Sequence, residues 1–317
     1  MRVGAVLLLC MQIPAAAQIR VGIIGTDTSH VPAFTRLLND PSAPDHIPGA
    51  KVVAAYKGGS PDIESSRTRV DKFAEEIRTR YAVEIVPTIG ELLKRVDAVL
   101  IESVDGRPHF AQAKEVIAAG KPFFVDKPLA ASMKDALAIA KLAASAKVPW
   151  FTTSSLRWSE FVESTRAPGT TGAVTWGPGP TEEHHELDLA WYGIHPIEML
   201  FTLMGRGCEE VTRTAAAEAD HVTCRWRDGR IGTVRVMRPH GGYGAVTFQG
   251  QKAKVSPADA KSSYVHLVRE IVKFFQTRQP PVPNEESIEI FAFMEAARLS
   301  KAGNGRPVRI EPSWLIH

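Results

Sequence analysis

The sequence of 317 residues contains little cysteine: only three, at positions 10, 208 and 224. They lack the short paired spacings of zinc sites, which excludes a cysteine-based metal centre. Cys208 and Cys224 lie in segments predicted to be strands. They could form a disulfide in an oxidising compartment or remain two separate buried thiols, and both alternatives stay open at this point.

The sequence also lacks long runs of charge of one sign. The 38 lysines and arginines nearly balance the 35 aspartates and glutamates, and the formal net charge is +3. Nucleic-acid binding needs a concentrated basic surface, which this dispersed charge does not indicate. We therefore expect no nucleic-acid partner and take a small molecule as the default ligand.

An apolar run occupies the N terminus, where Arg2 is followed by residues 3–11 and then by three alanines at 15–17. This order is typical of a signal peptide over residues 1–17, cleaved before Gln18. The run is too short for a stable membrane-spanning helix, and no twin-arginine pair precedes it. We expect export to the periplasm or medium and no membrane association after cleavage. A buried N-terminal segment is the alternative.

The stretch QIRVGIIGTDTSHVPAFTRLLND, residues 18–40, has the pattern of a strand, a tight turn and a helix. Its first part is a short apolar run between glycines, as expected of a buried parallel strand. Its last part places Phe34, Leu37 and Leu38 on one helical face. The pattern predicts the opening unit of a Rossmann-like, doubly wound α/β domain.

The turn of this unit lacks two of the three glycines of the dinucleotide motif G-x-G-x-x-G. Gly25 holds the first position, but Asp27 and His30 stand at the second and third. We expect Asp27 to repel phosphate and to put a side chain where a cofactor needs bare backbone. Asp27, Thr28 and Ser29 either cap the helix or contact a ligand. The candidate cofactor-binding residues of this turn are Gly25, Thr26, Asp27, Thr28, Ser29 and His30.

Further predicted strands deliver polar residues to the edge of the sheet where ligands bind in open α/β folds. The second strand ends without the acid that holds the ribose of NAD. Lys57 and Ser60 follow it and could contact the 2′-phosphate of NADP, although a solvated loop lysine is the alternative. Later strands end near Ser103 and at Asp126-Lys127, which are also cofactor-binding candidates.

The order of these elements resembles the Gfo/Idh/MocA family of sugar and cyclitol oxidoreductases. The resembling segments are VDAVLIESVDGRPHFAQAKEVIAAGKPFFVDKPLA, SSLRWSEF, YGIHPIEML and IEIFAFMEAARLSKAGNGRPVRI. The Glu-Lys-Pro motif of the family is here Asp126-Lys127-Pro128. The resemblance covers nearly the whole chain after the predicted signal peptide.

The resemblance implies two domains in an α/β fold. Residues 18–149 would form the Rossmann-like dinucleotide-binding domain, and residues 150–317 an α+β domain for substrate and oligomerisation. Strand-like segments in the second part predict a mainly antiparallel open sheet. In the family the free face of this sheet contacts other subunits and the tail returns to the first domain, so we expect a homo-oligomer.

The resemblance also implies a chemistry in which Lys127 and His195 transfer the proton while a nicotinamide of NAD or NADP takes the hydride. A lysine titrates near ~10.4, so burial or nearby positive charge must lower its pKa before it acts as a base. Histidine needs little adjustment. The aspartate that usually stands four residues before this histidine is here Trp191.

Residues 181–188, TEEHHELD, are rich in groups that can move protons or bind metals. Their spacing matches no standard metal motif, so no metal site is predicted. A solvated loop is the simplest interpretation, a substrate-contacting loop the next, and a metal-binding loop the third. Arg157, His185 and Tyr192 are the candidate substrate-binding residues.

The sequence therefore predicts an NAD(P)-dependent oxidoreductase that acts on a sugar or sugar derivative. The degenerate glycine turn and the export signal leave two alternatives open. One is an exported lyase, hydratase or hydrolase that acts on a glycoside by redox-neutral chemistry without nicotinamide. The other is a non-catalytic sugar-binding protein, because a fold alone does not establish chemistry.

Overall fold

The first part of the chain folds around a six-stranded parallel sheet with the strand order β3-β2-β1-β4-β5-β6. The computed structural model describes residues 18–316, and the predicted signal peptide over residues 1–17 lies outside them. The doubly wound parallel sheet predicted from the sequence is confirmed. Its strands are β1 (Ile19–Ile24), β2 (Ala50–Tyr56), β3 (Glu84–Val86), β4 (Ala98–Ile101), β5 (Phe123–Val125) and β6 (Trp150–Thr152).

Six helices connect these strands and cover both faces of the sheet. Strand β6 pairs with β5, so the sheet ends at Thr152, three residues beyond the predicted domain limit at 149. Thr88 and Ser132 cap two of the helices by accepting the backbone N–H three residues on, at 3.1 Å in each case. The helices are α1 (His30–Asn39), α2 (Glu64–Arg67), α3 (Val70–Tyr81), α4 (Ile89–Leu93), α5 (His109–Ala118) and α6 (Met133–Ala146).

The second part is built on a seven-stranded sheet with the order β12-β11-β7-β10-β9-β8-β13. All its pairings are antiparallel except that of β7 with β10, which confirms the mainly antiparallel prediction. The strands are β7 (Gly172–Pro178), β8 (Cys208–Ala215), β9 (Ala219–Trp226), β10 (Ile231–Met237), β11 (Gly244–Gln249), β12 (Lys252–Val255) and β13 (Val308–Arg309).

Within residues 18–316 four further α-helices follow: α7 (Glu160–Glu163), α8 (Ile194–Met204), α9 (Val265–Thr277) and α10 (Asn284–Ala302). Helix α9, which the sequence analysis did not identify, packs against the first sheet beside α1. It buries Leu267, Val268, Ile271 and Phe274 there. No helix between residues 18 and 316 combines the length and apolar character that crossing a bilayer requires.

Cys208 and Cys224 form a disulfide between the neighbouring strands β8 and β9. Their Cα atoms lie 5.9 Å apart, within the range that a disulfide spans. The structure therefore decides between the two alternatives that the sequence left open for these cysteines.

Candidate functional site

A cavity of about 530 Å³ opens at the carboxyl ends of strands β1, β4 and β5. In a doubly wound sheet this edge is the usual ligand site. The turn between β1 and α1, the end of β5, the start of α8 and residues 262–265 before α9 all contribute to its wall. The cavity therefore lies between the two sheets, with the first helix on one side.

The structure brings Lys127 and His195 to this cavity from the end of β5 and from helix α8. Lys127 follows β5, and its Nζ lies 5.3 Å from the centre of the Tyr192 ring. His195 lies in the first turn of α8, and its Nδ1 is 2.7 Å from Ser154 Oγ. Burial, with smaller contributions from the nearby Lys127 and His30, holds the pKa of His195 well below its usual range. The imidazole is thus neutral at pH 7.

The turn between β1 and α1 keeps the first glycine of the dinucleotide-binding motif. Gly25 has φ +88°, and a Cβ there would collide with the backbone of Ser103. Thr28 and Ser29 line the cavity just before α1, and within residues 18–316 no hydrogen bond occupies their backbone N–H groups. Open amides at the start of a helix bind anions such as a pyrophosphate. The described turn therefore fits the phosphates of a dinucleotide.

The carboxylate of Asp27 points away from the cavity, contrary to the expectation that it would occupy cofactor space. Ser66 Oγ donates to it at 2.6 Å and the backbone N–H of Val104 at 3.0 Å. Burial of this fully enclosed side chain raises its pKa, which weakens its repulsion of an anion. Asp27 thus ties the turn to helix α2 and to the loop that follows β4.

His30 fills the position of the third glycine with a packed side chain. Its ring lies against Phe34 and Tyr264, with centroid distances of 5.3 and 4.7 Å. Its Nδ1 lies 2.7 Å from Asp126 Oδ2. The fully buried carboxyl of Glu102 is close by, and burial, with a further contribution from Asp126, raises its pKa well above the ordinary value.

Four residues proposed to contact the cofactor are already engaged with other partners. Lys57 forms an ion pair with Asp71, and Ser60 Oγ donates to Asp105 at 2.6 Å. Neither residue contributes to the cavity wall. The side chain of Ser103 bonds with Gln112, at 2.8 Å from its Nε2, and Thr26 Oγ1 donates to the Val70 carbonyl at 2.8 Å.

Of the three substrate candidates, only Tyr192 lines the cavity. His185 is buried behind it, with Nε2 3.0 Å from Asp105 Oδ1. Burial raises the pKa of Asp105, but hydrogen bonds from His185, Arg107 and Ser60 outweigh that effect and lower it. These contacts hold the 181–188 loop on the first domain.

Arg157 also lies outside the cavity wall, although its neighbours Ser155 and Leu156 belong to it. Its guanidinium is 2.7 Å from a Glu198 oxygen and 2.6 Å from a Glu286 oxygen. This buried group therefore joins the loop after β6 to α8 and α10.

Three aromatic residues of the cavity wall were absent from the predicted site: Trp191, Tyr243 and Tyr264. Trp191 was considered only as a departure from the family pattern. Nothing local in the sequence identifies the two tyrosines, since they reach the cavity from the loops before β11 and α9. Only the folded arrangement of these loops shows that they meet.

Comparison with known proteins finds a family match over the first part of the chain. Residues 19–153 match the Gfo/Idh/MocA family model, described as an oxidoreductase family with an NAD-binding Rossmann fold. No curated protein matches the sequence.

Solved structures share the fold of almost the whole chain. Myo-inositol dehydrogenase from Lactobacillus casei, in complex with NAD(H) and myo-inositol, is 17% identical with a TM-score of 0.70, covering 94% of this chain and 99% of that one. The apo scyllo-inositol dehydrogenase from Lactobacillus casei is 14% identical with a TM-score of 0.71, covering 93% and 99%. An oxidoreductase from Agrobacterium radiobacter, in complex with NAD+, L-tartaric acid and magnesium, is 16% identical with a TM-score of 0.69, covering 92% and 98%.

Proposed function

We propose that the protein is a nicotinamide-dependent oxidoreductase of a sugar or cyclitol, because residues 19–153 match the Gfo/Idh/MocA oxidoreductase family model that the resemblance predicted. One observation supports this above all. Lys127 and His195, from different domains, line the same cavity as the open turn before α1. The inositol dehydrogenases of the same fold are consistent with a polyhydroxylated substrate.

The phosphates of the cofactor would lie on the backbone amides of Thr28 and Ser29, at the positive end of the α1 dipole. Gly25 keeps the turn tight enough for this approach. When bound, the nicotinamide accepts a hydride from a carbon that bears a hydroxyl group. The chain does not distinguish NAD from NADP. No acid follows β2 to bind the ribose hydroxyls of NAD, and Lys57, which could bind the 2′-phosphate of NADP, is paired with Asp71.

His195 would take the proton of the substrate hydroxyl. In the tautomer whose Nδ1–H donates to Ser154 Oγ, Nε2 is free to accept this proton. The lowered pKa of His195 keeps the ring in the neutral form that the step needs. The ammonium group of Lys127 would orient the same hydroxyl and stabilise the negative charge that develops on its oxygen.

The rings of Trp191, Tyr192 and Tyr243 form an aromatic part of the cavity wall. Aromatic faces suit the apolar C–H faces of a sugar or cyclitol ring. We assign these residues to substrate binding, whereas His185 and Arg157 hold the loops that carry the site.

A redox-neutral reaction on a glycoside is the second candidate, favoured by the side chain of His30 in the position of the third glycine. The same Lys127 and His195 would then serve as acid and base. Such an enzyme would release product from glycosides with no nicotinamide present, and its activity would not depend on added NAD or NADP.

We also propose that the protein is exported, as the N-terminal sequence predicts. The disulfide between Cys208 and Cys224 supports this, because such bonds persist in oxidising compartments. Mass spectrometry of the protein from its native host would give Gln18 as the first residue, whereas a retained Met1 would contradict export.

The oxidoreductase proposal is tested with a panel of inositols, aldoses and uronic acids, each offered with NAD and with NADP. We expect formation of the reduced nicotinamide, followed by its absorbance, with at least one member. Product from glycosides without nicotinamide would instead favour the redox-neutral alternative. Binding of sugars without any turnover would favour a sugar-binding protein.

A further inference from the structure

Three side chains that the proposed reaction does not use converge beneath the turn before α1. His30, Glu102 and Asp126 each offer one ligand atom, and these atoms all lie within 4.8 Å of one another. They come from the start of α1 and from the ends of β4 and β5, so the sheet fixes their positions. Their exposed fractions are 8%, 0% and 2%.

The cluster contains carboxylate oxygens that no protein group satisfies. Within residues 18–316 neither oxygen of Glu102, nor Oδ1 of Asp126, has a hydrogen-bond partner. Burying a carboxylate without partners is costly, and buried charges are normally paired or bound to metal. The nearby Lys127 does not bond to these oxygens, because its Nζ lies over the face of the Tyr192 ring.

The contact between His30 and Asp126 also lacks the alignment of a hydrogen bond, although Nδ1 and Oδ2 are 2.7 Å apart. Two ligands of one ion at bond lengths of about 2.1 Å lie roughly 3 Å from each other when they subtend a right angle. The separation of His30 Nδ1 and Asp126 Oδ2 is therefore close to that of two ligands of one ion, and the Glu102 carboxyl lies within 4.8 Å of both atoms.

We propose that His30, Glu102 and Asp126 bind a divalent transition-metal cation such as Zn²⁺ or Mn²⁺. One imidazole nitrogen and two carboxylate oxygens suit these ions. Three protein ligands leave at least one coordination position for water or substrate, and His30 is part of the cavity wall. The cation would offset the charge of two carboxylates below the turn. This inference does not rest on the proposed oxidoreductase activity.

Metal binding is measured on untagged mature protein that has been stripped with EDTA and dialysed. Calorimetric titration with Mn²⁺ and with Zn²⁺ should give one equivalent per chain, and elemental analysis should find the ion retained after gel filtration. Glu102→Gln preserves the size of the side chain and removes its charge. It should weaken binding at least tenfold, and Asp126→Asn should do the same.

Asp27→Asn is the matched control, because this equally buried carboxylate bonds to Ser66 and Val104 instead. It removes a nearby charge but no ligand, so it should weaken cation binding much less than Glu102→Gln or Asp126→Asn does. A second control is His184→Asn, which tests the exposed histidine of the 181–188 loop. Circular dichroism of each variant verifies its fold.

Two results would overturn the proposal. One is a wild-type protein that binds neither cation stoichiometrically. The other is binding of undiminished affinity in both Glu102→Gln and Asp126→Asn. Loss of that binding in His184→Asn would then place the ion on the 181–188 loop. In either case the cluster of His30, Glu102 and Asp126 would not be a metal site.

Discussion

At the scale of single residues, the account depends on Lys127 and His195, which the chain brings to one cavity from two domains. Lys127→Met and His195→Asn should each lower kcat by roughly 10² to 10⁴, because His195 takes the proton of the substrate hydroxyl and Lys127 stabilises the charge that develops on its oxygen. Both variants should still bind the nicotinamide. Steady-state kinetics with the substrate found in the panel would measure this.

His184→Asn is the control for these substitutions. Its imidazole lies outside the cavity wall, next to Glu182, so the variant should keep wild-type kcat. Wild-type turnover in both Lys127→Met and His195→Asn would remove these residues from the mechanism.

The environment of His195 also predicts the pH profile. Its pKa is lowered chiefly by burial, so the ring stays neutral below the unperturbed value of about 6.5. The acid limb of kcat/KM should therefore lie below pH 6.5 and should be absent from any residual activity of His195→Asn. An acid limb above pH 7 in the wild type would contradict this environment.

The lowered pKa of His195 also makes the stability of the folded protein depend on pH. Between the two pKa values the unfolded chain binds more protons at this histidine than the folded chain does, so stability falls as the pH falls below about 6.5. The contribution is fully present above that pH. Urea titrations at a series of pH values would measure the free energy of unfolding of wild type and His195→Asn. Above pH 6.5 the two proteins should respond to pH in the same way. Below that pH the wild type should lose stability faster than the variant.

The sequence was sufficient to nominate Lys127, His195 and Tyr192 for the cavity, because each belongs to a segment with a recognisable order. It could not show which way a side chain turns. Asp27 looked like an obstacle to phosphate, yet its carboxylate is turned inward by Ser66 and Val104, which are distant in sequence. The cluster of His30, Glu102 and Asp126 was missed because the start of α1 and the ends of β4 and β5 have to meet before it exists.

At the scale of elements, the unit of β1, turn and α1 carries the proposed phosphate site. Ser29 has φ −63°, which suits proline, so Ser29→Pro removes one backbone N–H with little strain on φ. Loss of a hydrogen bond to a charged phosphate should weaken nicotinamide binding about 10-fold to 100-fold. Ser29→Ala keeps the amide and should bind almost as the wild type does.

Fluorescence titration with the reduced nicotinamides would measure both variants. Equal affinities of Ser29→Pro and the wild type would show that the phosphates do not use this turn. Circular dichroism would verify that the proline leaves the helix content unchanged.

Helix α9 shows what the sequence analysis missed at this scale. Leu267, Val268, Ile271, Phe274 and Phe275 recur at helical spacing, so the signal was present in the sequence. What could not be read there is that this helix leaves the second domain and covers the first sheet next to α1. Tyr264 at its start thereby reaches His30.

At the scale of the whole molecule, one hydrophobic core connects the two sheets. It runs from Val99, Val125 and Ile139 of the first domain to Leu200 and Phe293, on helices packed against the second. The two walls of the cavity are thus held by continuous packing. We infer that the distance between Lys127 and His195 is set by this core.

The disulfide contributes to stability at the same scale. It joins residues 16 positions apart on β8 and β9. Replacing both cysteines by serine should lower the free energy of unfolding by about 3 kcal/mol, the value expected from loop entropy for a ring of this size. Urea denaturation of the double variant, and of the wild type with a thiol reductant, should give the same loss. An unchanged midpoint in both would mean that the bond adds nothing to stability.

The central claim is that a nicotinamide dinucleotide binds in the cavity at the carboxyl edge of the first sheet. Isothermal titration of the mature protein with NAD, NADH, NADP and NADPH tests it most directly, performed once with Mn²⁺ and once with EDTA. The account predicts saturable binding of at least one dinucleotide at one site per chain. Failure of all four to bind under both conditions would contradict it.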